Sequence, residues 1–248
     1  MSEKKCLLMI GSPKGWQSSS YKIGNYLFDK ILEKGYSGER YLLKTLSKRS
    51  GDSSGNIDEF INDIRESDII ILSCPLYVDS IPSFTIEVME LIADEYNERS
   101  IVNDSAESED KQNNNGKEQG FLAIINSGFP ESEQNDTAIK ICRRFAKEVG
   151  FKWLGGIGVG GGAAVGNQEL KGNKGMLKKL VAGLDKTSDA IVNEHRIPED
   201  ARHLLNRPLI PSWFYTFILN PGWWFMARKN KAHKKIYDKP YLNKDKVL

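Results

Sequence analysis

Cysteine, histidine, net charge and long apolar runs are all scarce in this 248-residue chain. Its three cysteines, Cys6, Cys74 and Cys142, are far apart, odd in number and each set in an apolar run. That excludes a disulfide framework and fits reduced, buried thiols in a cytoplasmic protein. A CxxC pair is absent, and the three histidines, His195, His203 and His233, fall late without the close spacings a metal favours. The formal charge of +2 gives no reason to expect a nucleic-acid partner, nor an acidic disordered chain. The opening run "KCLLMI" is too short for a secretory signal and leads into a glycine loop rather than a cleavage site.

What the chain does have is alternation. "KCLLMI" (5–10), "ERYLLK" (39–44), "DIIILSC" (68–74), "FLAIIN" (121–126) and "KWLGGIGV" (152–159) read as strands. Between them lie helical patterns at 18–34, 56–67, 83–96 and 135–150, and a fifth follows at 173–194. Gly35 and Gly150 sit where helices stop. Apolar strands joined by helical crossovers imply a parallel sheet covered on both faces. The expectation is an α/β, flavodoxin-like, three-layer, doubly wound sheet of five strands in the order 2-1-3-4-5. It occupies residues 1–200, with a mobile polar loop at 97–119, and a helical, aromatic and basic extension follows at 201–248.

In such a sheet, ligands bind beyond the carboxyl ends of the strands, where the strand order reverses. The stretch "GSPKGWQSSS" (11–20) falls there. One serine in it is explained by capping of the next helix. Ser12, Ser18, Ser19 and Ser20 together with Lys14 point instead to an anion such as a phosphate monoester, held by hydroxyls, an ammonium and helix N-terminal N–H groups. The loop lacks the GK[ST] ending of a Walker motif and the GxSxG frame of an esterase elbow. "GIGVGG" (156–161) satisfies G-x-G-x-x-G, but it closes the sheet instead of opening a βαβ unit. Close backbone approach explains it better than a dinucleotide fingerprint. Two further loops, "SCPLYVDSIPS" (73–83) and "NSGFPES" (126–132), place backbone groups beside Tyr77 and Phe129, a combination suited to a flat heteroaromatic ligand.

These three loops, with "AIKICRRFAKEVGFKWLGGIGVGGG", resemble the NAD(P)H-dependent FMN reductase-like flavoproteins of the flavodoxin-like superfamily over nearly all of residues 5–195. The resemblance implies that Ser12, Lys14, Ser18, Ser19 and Ser20 hold the FMN phosphate. Pro75, Leu76, Tyr77 and Val78 would line the isoalloxazine, and Asn126, Ser127, Gly128 and Phe129 would close its other side. It implies NADH or NADPH as hydride donor, a quinone-like, nitroaromatic or flavin acceptor, and a homodimer. No side-chain acid or nucleophile is required, because the flavin carries the chemistry. Trp16 departs from the small polar residue expected in the first loop. Asp79 is the one acid beside the ring site, and its structural role would be to cap the turn before the third helix. The alternatives are a flavodoxin-type electron carrier without nucleotide turnover, although such carriers are shorter and more acidic, and a membrane-surface flavin-binding protein.

The extension "RPLIPSWFYTFILNPGWWFMARKNKAHKK" (207–235) carries seven aromatic residues ahead of a basic cluster. Pro211 and Pro221 interrupt it, which predicts two short helices broken at 220–222. Packing on its own domain or across a dimer, contact with a membrane surface, and a transmembrane helix are the three readings, the last disfavoured by the prolines.

Overall fold

A computed structural model describes residues 3–51, 54–105, 118–166, 168–172, 175–194, 196–209 and 212–239. The chain divides into two compact units, Met1–Leu209 and Ile210–Leu248. In the first unit β1 (Lys5–Ile10) leads to α1 (Ser19–Leu32), β2 (Ser37–Leu42), α2 (Leu43–Leu46), α3 (Ile57–Glu66) and β3 (Ile69–Pro75). Then come α4 (Ser83–Ser105), β4 (Gly120–Asn126), α5 (Asp136–Val149), β5 (Lys152–Val159), α6 (Lys178–Glu194) and α7 (Glu199–Leu205). The five strands form one sheet in the order β2-β1-β3-β4-β5, every pair parallel. That is the flavodoxin-like topology expected.

Both faces of the sheet are buried, and β1 shows why its apolar run is unbroken. Cys6, Leu8 and Ile10 enter one core with α1, α6 and α7, while Leu7 and Met9 enter the other with α3, α4 and α5. A strand buried on both faces reads as a near-continuous apolar run instead of an alternation. On the second face Phe121 stacks on Phe151 at 5.9 Å and meets Phe145 edge-on at 5.4 Å. The three cysteines are free and buried. Burial pushes the Cys142 thiol up to about 12 and raises Cys6 and Cys74 as well, so these thiols stay protonated and unreactive at neutral pH.

Several boundaries differ from the sequence reading. The second strand ends at Leu42, because Leu43 and Leu46 bury together as one face of the short α2. α4 runs on to Ser105, so residues 97–105 of the polar stretch are helical, and 106–117 lie outside the described residues. α6 begins at Lys178 rather than residue 173. The helix α7, absent from the expectation, carries Ala201 and Leu205 into the core, and Leu209 follows them. The compact unit therefore continues past residue 200.

The second unit contains α8 (Ser212–Lys229), a single helix with Pro221 inside it, followed by a turn of 3₁₀ helix at His233–Lys235. The predicted break at 220–222 is thus corrected. A proline deletes one backbone hydrogen bond and crowds the carbonyl four residues back, which bends a helix without ending it. Among the described residues, no helix is long and apolar enough to cross a membrane.

Candidate functional site

The order of the strands brings the three loops together. The chain passes from β1 outward to β2 and returns to β3 on β1's other side, so the strand order reverses between β1 and β3. At the carboxyl edge, Ile10 is level with Ser73, Ser73 with Ile124, and Pro75 with Asn126. The segments that follow β1, β3 and β4 are neighbours for that reason.

The first loop leaves the sheet at Gly11, whose N–H bonds the Ser73 carbonyl at 2.9 Å. It turns over Ser12–Gly15, where Gly15 N–H donates to Ser12 O at 2.9 Å. Ser18 caps α1: its hydroxyl accepts from Tyr21 N–H at 3.0 Å and donates to Gly15 O at 2.7 Å. Ser20 is buried, and its hydroxyl donates to Asn126 Oδ1 at 2.6 Å. Ser73 in turn donates to the Ser20 carbonyl at 2.7 Å. Ser18 and Ser20 therefore hold the helix start in place, joined to β3 and β4. The first-turn N–H groups of Ser19 and Ser20 belong to the set that a helix cannot pair internally. Half-buried Ser19, buried Ser12 and exposed Lys14 complete this corner.

The second loop is a two-residue hairpin. Tyr77 N–H donates to Ser80 O at 2.8 Å, and Ser80 N–H returns to Tyr77 O at 3.1 Å. Its central residues, Val78 and Asp79, both take left-handed backbone angles, with φ of 48° and 58°. The turn type requires this, and glycine or asparagine normally supplies it. Aspartate tolerates the region, whereas a β-branched valine is strained there. The side chain held at that cost is 99% exposed. Asp79 thus serves as a turn residue, and among the described residues no capping bond comes from it. Pro75, the last residue of β3, is buried, and Leu76 beside it donates its N–H to Asn126 O at 2.9 Å.

The third loop is braced from below. Ser127 N–H bonds Val159 O at 3.0 Å, and the Ser127 hydroxyl bonds Phe129 O at 3.2 Å. The segment after β5 closes on it through Gly161 N–H to Phe129 O (2.6 Å) and Gly162 N–H to Ser127 O (2.8 Å). A Cβ at Gly160 would lie 2.0 Å from Pro130 O, and one at Gly162 would lie 2.8 Å from Asn126 Nδ2. This close approach explains the glycine run, and among the described residues no strand follows β5 in the sheet to make a βαβ unit. Gly128, in contrast, faces open space.

The result is a buried polar floor of Ser12, Ser20, Asn126 and Ser127 beneath a rim of exposed apolar side chains. Trp16, Tyr77, Val78 and Phe129 make that rim. Trp16 leans edge-on against Tyr21 at 5.1 Å. Two supports were invisible in the sequence. Thr85, buried in the first turn of α4, donates to Gly11 O at 3.3 Å. Asn135 donates to Ser127 Oγ at 3.3 Å and Ser132 O at 3.0 Å, and its own carbonyl oxygen is buried without a partner. Neither belongs to a motif.

A doubly wound, flavodoxin-like fold with three converging loops at its switch point is the class of protein defined here. Among solved structures, a flavone reductase aligns with a TM-score of 0.53 at 12% identity, over 82% of this chain and 69% of that one. An NADH:FMN oxidoreductase, in its apo form, aligns at 0.50 with 13% identity over 84% and 96% of the two chains. The NAD(P)H:quinone oxidoreductase from Methanothermobacter marburgensis aligns at 0.50 with 11% identity over 79% and 99%. These likenesses establish the fold. No protein-family model and no curated protein matches the sequence.

Proposed function

We propose that the first unit, expected from the sequence as residues 1–200, is an FMN-dependent NAD(P)H oxidoreductase acting on a quinone-like, nitroaromatic or flavin acceptor. The observation that carries this reading is the convergence of the three loops: a polar corner at the start of α1 beside an exposed rim of Trp16, Tyr77, Val78 and Phe129. An apolar rim around a few polar groups is the usual composition of a site for a flat ligand. Neighbours of the same fold are described as reductases of quinone, flavone and FMN. That supports the reading.

FMN fits the residues present. Ser12, Ser19 and Lys14 would meet its phosphate directly, together with the open N–H groups at the start of α1. Ser18 and Ser20 would act through the backbone they hold. Pro75, Leu76, Tyr77 and Val78 would lie along one side of the isoalloxazine, with Asn126, Ser127, Gly128 and Phe129 along the other. When bound there, FMN supplies the hydride chemistry, and the protein's part is to orient the ring, exclude water and leave one face open to donor and acceptor. No acid or base of the chain is needed.

Titration of the purified apo-protein with FMN, followed by flavin fluorescence and with riboflavin as control, tests the site. Tight FMN binding and weak riboflavin binding are expected; equal or absent binding removes the phosphate assignment. Turnover of NADH or NADPH then separates an oxidoreductase from an electron carrier.

The extension supports a second, additional role. Residues 201–237 contain no aspartate or glutamate. In α8, Phe217, Trp223, Trp224, Phe225 and Met226 are exposed, and Arg228, Lys229, Lys231, Lys234 and Lys235 follow. Aromatic residues beside cations suit the headgroup level of an anionic bilayer. Sedimentation with anionic vesicles, lost on truncation after Leu209, is the expected result. A homodimer that covers these residues predicts no sedimentation and twice the monomer mass.

A further inference from the structure

A second concavity lies along the free edge of β5. It has a volume of about 680 Å³ and is walled by α5 on one side and by the segment Arg196–Asn206 on the other. Ile197 N–H bonds Leu154 O at 3.2 Å and pins that segment to the strand. Ser132 Oγ donates to Asn206 O at 3.0 Å and ties the start of α5 to the end of α7.

Three features give this groove a chemical character. First, Lys140, Arg143, Arg196 and Arg202 line it, and none of the four enters an ion pair among the described residues. Second, successive peptide groups of a strand alternate between its two edges. Val159 O is bonded toward the β4 side by Ser127 N–H, so Gly158 and Gly156 present their backbone groups to the groove. Third, the ends differ. Glu133 and Asp136 stand at the Ser132 end, and Ile139 and the Trp153 indole stand toward the start of β5. The Ser132 end is three residues from Phe129, on the rim of the proposed flavin site.

We propose that this groove binds the adenosine diphosphate half of the nicotinamide dinucleotide donor, a deepening that rests on the function proposed above. The pyrophosphate lies among Arg143, Arg202 and Lys140, where charge-assisted bonds to unpaired guanidinium groups are strongest. Glu133 and Asp136, at the Ser132 end, accept hydroxyls of the ribose on the nicotinamide side of the pyrophosphate. The adenine rests on Ile139 and Trp153. The nicotinamide end then emerges beside Phe129.

The test uses the full chain and the double variant Arg143→Glu/Arg202→Glu, both positions exposed and clear of the flavin loops. Calorimetric titration of the apo-protein with ADP, and with adenosine as the phosphate-free control, reads the groove without any turnover. ADP binding at least about tenfold tighter than adenosine binding, and lost by at least about tenfold in the double variant, is expected. In FMN-loaded protein the same variant should raise the KM for NADH or NADPH by a similar factor, with kcat and the FMN titration unchanged. Wild-type protein that binds FMN but not ADP, or a double variant that binds ADP as well as wild type, overturns the groove and leaves the flavin reading standing. Failure of wild type to bind FMN overturns the flavin reading, and the ADP titration still decides the groove.

Discussion

The two ends of the same five strands are built on opposite principles. At the amino edge, polar groups are paired with one another. Lys5 N–H bonds Asp68 at 2.7 Å, and the Lys5 ammonium pairs with Glu66. Lys152 meets Glu118 at 2.6 Å. Gln119 accepts from the Tyr96 hydroxyl at 2.8 Å and donates to Ser67 O at 2.9 Å. At the carboxyl edge the hydroxyls are inside, and Trp16, Tyr77, Val78 and Phe129 are outside. A fold gains nothing from leaving those side chains in water, where each exposed apolar square ångström forgoes roughly 25 cal/mol of burial. One end closes the fold, and the other is arranged for something to cover it.

The largest expected effect lies at the closing end. Phe121 is fully buried near the start of β4, among Phe145, Phe151 and Trp153. Phe121→Ala should cost about 3–5 kcal/mol of unfolding free energy, through lost burial and the cavity left behind. Denaturant melts measure this. The fraction that stays folded should bind FMN with unchanged affinity. A loss of affinity in that fraction would erase the division between the two ends.

The next effect belongs to the open end and should leave stability alone. Ser19→Glu puts a carboxylate in the first turn of α1, a position that favours the helix through its dipole. The same charge repels a phosphate at that site. FMN affinity should fall by at least about tenfold, roughly 1.4 kcal/mol, with the melting temperature unchanged or slightly raised. Unaltered affinity in this variant would falsify the phosphate corner. Ser20 is a worse place for the charge, because its buried hydroxyl is bonded to Asn126 and a glutamate there would damage the fold itself.

The strands, their order and the three loops were legible because each rests on a local pattern. A doubly buried strand reads as an apolar run, and a parallel sheet with crossovers leaves few topologies. What was not legible depends on partners distant in sequence. Ser18 and Ser20 look alike in "SSS", yet one caps its own helix and the other reaches across to β4. The glycines of 156–161 match a dinucleotide motif in spelling, but Gly160 is required by the nearness of Pro130 O. Thr85 supports Gly11 from 74 positions away in the sequence. Pro221 reads as a break, and α8 continues through it because a proline removes only one bond of the ladder.

Val78 offers the finest test of the contrast, because there the two principles act against each other in one residue. A left-handed, β-branched residue costs about 1–3 kcal/mol. Val78→Gly removes that strain, and the greater freedom of glycine in the unfolded chain returns about 0.5–1 kcal/mol of it. The balance predicts a net gain of about 1 kcal/mol, read as a higher melting temperature. The side chain removed is almost wholly exposed, so no packing within the chain is lost with it. If the strain is kept to hold an apolar surface against the ring of FMN, the more stable variant should bind FMN more weakly, by a few-fold. A variant that gains stability and keeps its affinity would make Val78 an accident of the turn, and the rim would then consist of its three aromatic side chains alone.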